Sequence, residues 1–321
     1  MLQLLNIEPK DYSHIARDIL ASFAHVYEDE LSRKKLLTII PKYHILITRL
    51  ANKIDREVID AGVNLRYIVS ATTGLDHIDV NYANKKGIQV LSLKGERSFL
   101  ENITATAEHT WGLLLSLYRR TCSAHQDVLQ GTWQRDRYRG NELKGKVLGI
   151  LGYGRLGKMV ASYGRSFKMH ILIHDPYIVN TGCSDIKNVP VNELLSSSDI
   201  LTIHVPLTPE TENLINSDKL SLMKKSSVII NTSRGKIVDE RALLASLEKQ
   251  NIAGAALDVM AGEENFRSGR ESWPASDPLV QYAGKHANLL LTPHIGGATW
   301  ESMHQTEIFM AEKLKSAACG D

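Results

Sequence analysis

Three residues of this 321-residue chain could together hold an organic acid and move a proton: Arg234, Glu263 and His294. A neutral imidazole takes a proton from an alcohol, and an imidazolium returns one to a carbonyl. A carboxylate beside the ring favours the charged form, and Glu263 can supply it. Arg234 presents a planar fork that matches a carboxylate and can polarise an adjacent carbonyl. His294 precedes Ile295-Gly296-Gly297, where glycines let a ligand approach the backbone. Taken singly, each has a plainer reading. His294 is one of twelve histidines, Arg234 sits in a Ser-Arg-Gly loop, and Glu263 adjoins Glu264 as in a solvated acidic loop. Ser233 has no GxSxG elbow around it and is not a nucleophile. No metal is expected, because the only close histidine pair, His170 and His174, falls in a strand run.

A second constellation lies at Lys146–Asp175. The apolar run Val147–Leu151 suits a strand buried on both faces. Gly152-Tyr153-Gly154-Arg155-Leu156-Gly157 follows at once and opens a helix expected over Leu156–Phe167. In such a loop Gly152 permits a tight turn, Gly154 lets a pyrophosphate approach and Gly157 lets the helix pack on the strand. The helix N-terminus supplies free N–H groups and a positive dipole end. After a second apolar run, His170–His174, comes Asp175, about 18 residues beyond Gly157, placed to accept both ribose hydroxyls of an adenosine. Its charge would repel a 2′-phosphate, which selects NAD over NADP. With Pro176 behind it, Asp175 also fits a plain turn former.

The elements that must position these groups alternate strand and helix. In residues 1–100 strands are expected at Leu2–Ile7, His44–Thr48, Leu65–Ser70 and Gln89–Leu91, with helices at Tyr12–Ser22, Leu31–Ile39 and Asp55–Ala61. Ile103–Leu129 carries Ala107, Trp111, Leu114, Leu115 and Tyr118 at helical spacing and is expected as one long connecting helix. The polar, Arg-rich stretch 134–145 is an exposed arm, a solvated loop or an interface. Beyond it, strands Ile200–Val205, Val228–Asn231, Ala253–Val259 and Leu289–Thr292 each end in polar punctuation: His204-Val205-Pro206, Thr232-Ser233-Arg234-Gly235, Asp258 and Pro293-His294. Open α/β sheets bind ligands at that carboxyl edge. Residues 260–288, with Gly262, Gly269, Pro274 and Pro278, form an irregular loop longer than a simple connection. Trp300–Ala317 closes the chain as a helix.

Composition sets the outer bounds. The length suits two domains, and Lys plus Arg at 38 against Asp plus Glu at 36 leaves no basic footprint for nucleic acid. No apolar run reaches the roughly 18 residues of a membrane span, and the opening MLQLLNIEPKDY has no signal-peptide pattern. Cys122, Cys183 and Cys319 are odd in number and far apart, which points to reduced thiols and the cytoplasm.

With Thr73-Gly74-Leu75-Asp76, Ala107-Glu108-His109, the glycine loop, Asn231-Thr232-Ser233-Arg234-Gly235, Ala256-Leu257-Asp258-Val259 and Thr292-Pro293-His294-Ile295-Gly296-Gly297 in this order, the chain resembles the D-isomer-specific 2-hydroxyacid dehydrogenases, D-3-phosphoglycerate dehydrogenase included. The resemblance implies an α/β fold of two Rossmann-like, doubly wound parallel-sheet domains. It implies a discontinuous substrate domain, residues 1–101 and 294–321, around an NAD-binding domain, 102–293, hinged near 101 and 294. It implies Arg234 as anchor, Glu263 as partner of the histidine and His294 as acid/base. Gly152, Gly154, Arg155, Leu156, Gly157, Asp175, His204, Val205, Pro206, Thr232, Asp258 and Gly297 would bind NAD. Arg49, Thr73, Gly74, Leu75 and Arg234 would bind a small 2-hydroxy or 2-keto acid, with D-3-phosphoglycerate among the candidates. Arg49 matches a phosphate-contacting arginine, but Ser70 stands where another arginine is common, and Glu264 replaces the proline usual after the glutamate. No regulatory C-terminal domain is expected. A homodimer through about 104–145 is implied, with no nucleic-acid or membrane partner. The other reading is a non-catalytic NAD(H)-sensing interaction protein, like the family's corepressor relatives.

Overall fold

The computed structural model describes residues 1–266 and 273–320. They form two compact units: residues 1–102, 264–266 and 298–320 in one, residues 103–263 and 273–297 in the other. The return crossing falls after residue 297 rather than at 294, so His294 folds with the second unit. The cause is local, because the Asp258 carboxylate accepts the N–H groups of Ile295 and Gly296.

The first unit holds a five-stranded parallel sheet of β1 (Leu2–Asn6), β2 (Ala24–Glu28), β3 (Ile45–Thr48), β4 (Tyr67–Ser70) and β5 (Gln89–Ser92), in the order β2-β1-β3-β4-β5. This 2-1-3-4-5 winding is the flavodoxin-like variant of the doubly wound sheet. β3 is buried throughout, as a strand covered on both faces must be. Expected helix starts at Tyr12, Leu31 and Asp55 move to His14, Arg33 and Arg56, because Ser13, Ser32 and Asp55 are caps. Each accepts an N–H of the first turn and so stays outside the helix. β2 was not legible as a strand, since its AHVYE alternates apolar and polar residues over five positions only. The helix Trp300–Cys319, capped by Thr299, ends two residues later than expected.

The second unit is built on seven parallel strands: β6 (Val147–Leu151), β7 (His170–His174), β8 (Ile186–Asn188), β9 (Ile200–Ile203), β10 (Val228–Asn231), β11 (Gly254–Leu257) and β12 (Leu289–Leu291). Their order, β12-β11-β10-β9-β6-β7-β8, is the Rossmann winding with one added strand, and it reverses between β6 and β9. β9, β10 and β11 are fully buried.

The expected helix Ile103–Leu129 is two helices, Ala105–Tyr118 and Thr121–Leu129. Arg120 takes a left-handed backbone between them, and the Asn141 N–H donates to the Tyr118 carbonyl, ending the first helix. The first buries Ala107, Trp111, Leu114 and Tyr118, while Leu115 is half-buried. The second buries none of its residues. In the arm, Arg135–Tyr138 forms a short 3-10 turn and Leu143 is buried. The described parts of the 260–288 stretch hold a turn at Glu263–Asn265 and a helix at Pro278–Ala283 capped by Asp277; Gly269 lies outside the described residues.

Candidate active site

β10, β11 and β12 lie side by side and parallel, so the turns that leave their carboxyl ends are neighbours. The first turn carries Arg234. The Asn231 side chain shapes it, accepting the Ser233 N–H at 3.0 Å and donating to the Arg234 carbonyl at 2.9 Å. Gly235 then packs so tightly on the β11 turn that a Cβ would sit 2.1 Å from the Met260 carbonyl carbon. The Glu240 carboxylate accepts the Ala261 N–H at 2.6 Å. Burial pushes the Glu240 carboxyl up, partly offset by that N–H. The backbone leading to Glu263 is thus gripped by a glycine contact and a buried carboxylate.

Glu263 and His294 meet directly. Glu263 Oε1 lies 2.7 Å from His294 Nδ1, and Oε2 accepts the Met260 N–H at 3.2 Å. Both side chains are largely buried, where a charge pair is less screened than at the surface. With Nδ1 committed to the carboxylate, Nε2 is the ring atom for exchanging a proton with a ligand. His294 has a left-handed backbone, φ 55°, which costs a non-glycine residue roughly 1–2 kcal/mol and persists only where the surroundings impose it.

Asp258 imposes it. This carboxylate is 1% exposed and collects four donors: His109 Nε2 at 3.1 Å, Thr292 Oγ1 at 2.6 Å, Ile295 N–H at 2.9 Å and Gly296 N–H at 2.8 Å. Burial alone would push the Asp258 carboxyl up; the hydrogen bonds outweigh it and hold the group below the usual carboxylate range. The Asp258 carbonyl also accepts the His294 N–H at 2.8 Å. Its acceptors therefore face the protein. His109, Thr292 and Glu240 had no assigned role in the sequence; the first two stood in motifs, but only tertiary contact reveals what they bond.

The glycine loop fits a dinucleotide. At Gly152, φ 96°, a Cβ would meet the His204 carbonyl at 2.9 Å, and at Gly157 it would meet the Gly152 carbonyl oxygen at 2.1 Å. Gly154 alone is open, with nothing within 4 Å of a Cβ. It caps the helix Arg155–Ser166 without any side-chain cap, leaving the N-terminal N–H groups for an anion. Leu156 is half-buried in the first turn, and Arg155 donates to the Ile103 carbonyl at 2.6 Å. Asp175 accepts the N–H groups of Tyr153 and Tyr177 at 2.8 and 3.0 Å, which ties it to the loop. The His204 ring nitrogens are both inaccessible and have no hydrogen-bond partner among the described residues, and burial pulls the imidazole down to about 4. Buried polar groups without a partner are rare in folded proteins. Val205 accepts the Ser233 hydroxyl through its carbonyl, and Pro206 is exposed. Thr232 Oγ1 lies 2.9 Å from Thr110 Oγ1, whose own proton goes to the Thr106 carbonyl. Gly297 is exposed beside Thr106. Among the described residues no group of three or more His, Cys, Asp or Glu could hold a metal ion.

In the first unit, Thr73, Gly74 and Leu75 form the turn after β4, steadied by the Thr72 hydroxyl on the Gly74 carbonyl at 2.8 Å. Arg49 pairs with Glu307 at 2.6 Å, and its guanidinium lies over the Tyr12 ring, 5.4 Å from the centroid. Glu307 is 1% exposed and accepts the Ser13 N–H at 2.7 Å. Burial pushes the Glu307 carboxyl up and Arg49 pulls it back in part. Arg49 also borders a pocket of about 140 Å³ with Glu8, Lys10, Glu30 and Asn52.

Residues 111–296 match the family model described as D-isomer specific 2-hydroxyacid dehydrogenase, NAD binding domain. The chain is 36% identical to a D-3-phosphoglycerate dehydrogenase of Archaeoglobus fulgidus over 90% of its own length and 52% of that protein's. It thus spans about half the length of the phosphoglycerate dehydrogenases it matches. It is 34% identical to a hydroxypyruvate reductase of Thermotoga maritima, covering 90% of this chain and 89% of that one. Among solved structures, a D-lactate dehydrogenase of Aquifex aeolicus complexed with NAD and lactic acid superposes with a TM-score of 0.86 at 27% identity, over 99% and 96% of the two chains.

Proposed function

The chain belongs to the D-isomer specific 2-hydroxyacid dehydrogenase family, and on that premise we propose that it interconverts a D-2-hydroxy acid and its 2-keto acid. Bound NAD would supply the hydride acceptor at its nicotinamide ring. Arg234 anchors the substrate carboxylate and polarises the carbonyl oxygen. The His294 Nε2 takes the hydroxyl proton as C2 gives up its hydride, and returns it when the keto acid is reduced. Glu263 keeps the ring oriented through Nδ1 and offsets its positive charge. The observation that carries this reading is the 2.7 Å Glu263–His294 contact beside the Arg234 turn.

Gly152, Gly154, Leu156 and Gly157 are assigned to the pyrophosphate, Asp175 to the adenosine ribose, and His204, Val205, Pro206, Thr232 and Gly297 to the rest of the cofactor. Arg155 and Asp258 are assigned to the cofactor with them; Arg155 also donates to the Ile103 carbonyl, and Asp258 also holds His109 and the Gly296 N–H. Gly74 and Leu75 are assigned to the substrate carboxylate: among the described residues neither N–H donates a hydrogen bond. Thr73 stands with them.

The state of Arg49 bears on the substrate. Its charge is balanced by a buried carboxylate, and Ser70 spends its hydroxyl on Thr72, so a phosphate dianion finds little net positive charge there. Short unphosphorylated acids such as hydroxypyruvate and glyoxylate are therefore expected to exceed 3-phosphohydroxypyruvate in kcat/KM. The test follows NADH loss with those three acids and pyruvate, for the wild type and His294→Ala. The variant is expected to lose about 100- to 10,000-fold in kcat with NADH affinity intact; unchanged turnover defeats the assignment. We place the protein in the cytoplasm as a homodimer through about 104–145, supported by three separate free cysteines and by exposed Leu129 and Trp133 on that stretch.

A further inference from the structure

We propose that His109 is a positioning residue for His294, acting through Asp258. This role rests on the reading of His294 as the acid/base. His109 belongs to the helix Ala105–Tyr118, and its Nε2 lies 3.1 Å from Asp258 Oδ1 and 3.2 Å from Thr292 Oγ1. The Thr292 hydroxyl donates its proton to Asp258, so both oxygens facing His109 are acceptors and Nε2 must carry the hydrogen. That single N–H bridges a carboxylate and a hydroxyl on either side of the His294 loop.

The loop is held by the Asp258 backbone and by its carboxylate. His294 sits in a left-handed backbone, and the two peptide N–H groups after it both end on Asp258. Asp258 is itself at the end of β11 with a short side chain, so its orientation decides where those amides point. Three donors come from the 292–296 segment and would travel with it; His109 is the one anchored in a long helix packed on the sheet. Gly296 closes the arrangement: a Cβ there would lie 2.9 Å from Asp258 Oδ2 and 3.7 Å from His109 Cδ2. Without the His109 donor the carboxylate can rotate, and the loop that presents His294 to Glu263 rotates with it. A misplacement of about 1 Å at a reacting group costs on the order of 100-fold in rate.

The test compares His109→Met, which keeps bulk without a donor, with His109→Gln, whose amide N–H can reach the same acceptors. The probe is glyoxylate or hydroxypyruvate, whichever the wild type reduces faster with NADH. His109→Met is expected to lower kcat about 10- to 100-fold with KM within about threefold, while NADH fluorescence titration shows unchanged affinity. His109→Gln is expected to recover kcat to within about threefold of wild type. Thr292→Val, which deletes another donor to the same carboxylate, is expected to lower kcat in the same direction and carries the test if the Met variant does not fold. Equal losses in Met and Gln, or a folded His109→Met with wild-type kcat, overturn the positioning role alone. Full turnover in His294→Ala, or no reduction of either acid by the wild type, overturns the proposed function and this role with it.

Discussion

The most consequential single atoms here are the oxygens of two carboxylates, Glu263 facing the imidazole and Asp258 facing the backbone that carries it. Glu263→Gln keeps the shape and removes the charge, so kcat is expected to fall about 10- to 100-fold with little change in KM, as steady-state kinetics would show. Gly296→Ala places a methyl against Asp258, and a melting curve together with kcat should fall in concert. His204 offers a pH test. Its folded pKa, about 4, lies below the ordinary histidine value of 6.5, so between those values the unfolded chain binds more protons. Stability from this residue is complete above about 6.5 and is lost as pH falls to 4, about 3 kcal/mol in all. In the ligand-free protein His204→Leu should flatten that acid slope in urea titrations; an unchanged slope counts against it. Arg234 and His294 stood out in the sequence because each punctuates the end of an apolar run, and Glu263 because it lies in the loop that follows another. His109 did not, since nothing in its own neighbourhood in the chain names Asp258, 149 residues away.

At the scale of elements, the strands with continuous apolar runs were the most legible: Val147–Leu151 and Val228–Asn231, largely buried, and His170–His174, half-buried, fall where their runs do. β2 and β8 escaped notice because short half-exposed strands carry little pattern. The helix expected over Ile103–Leu129 breaks at Arg120 without glycine or proline, through a tertiary hydrogen bond from Asn141 that the local sequence cannot announce. The glycine loop was readable because its constraints are steric. Gly157→Ala is expected to force the helix Arg155–Ser166 away from β6, since its Cβ would overlap the Gly152 carbonyl. NADH affinity measured by fluorescence should drop at least tenfold, whereas Gly154→Ala, with open space around it, should leave the fold intact and weaken the cofactor alone.

For the whole molecule, both sheets follow doubly wound orders that chirality and crossover rules favour, which is why alternating strand and helix patterns sufficed to reach the fold class. What they could not give is where the chain crosses for the last time. The expected boundary at 294 yields to 297 because Asp258 draws Ile295 and Gly296 into its own unit. The proposed homodimer is open to light scattering: a mass near twice 35.8 kDa is expected, and Trp133→Glu should shift it toward one chain. At the same site Gly296 approaches Thr106, a Cβ there lying 3.3 Å from the threonine methyl. The strand of chain that enters the second unit and the one that leaves it therefore run past each other at one spot. The first entry into the second unit and the last exit from it are therefore close together, although the chain between them also passes through the first unit at residues 264–266.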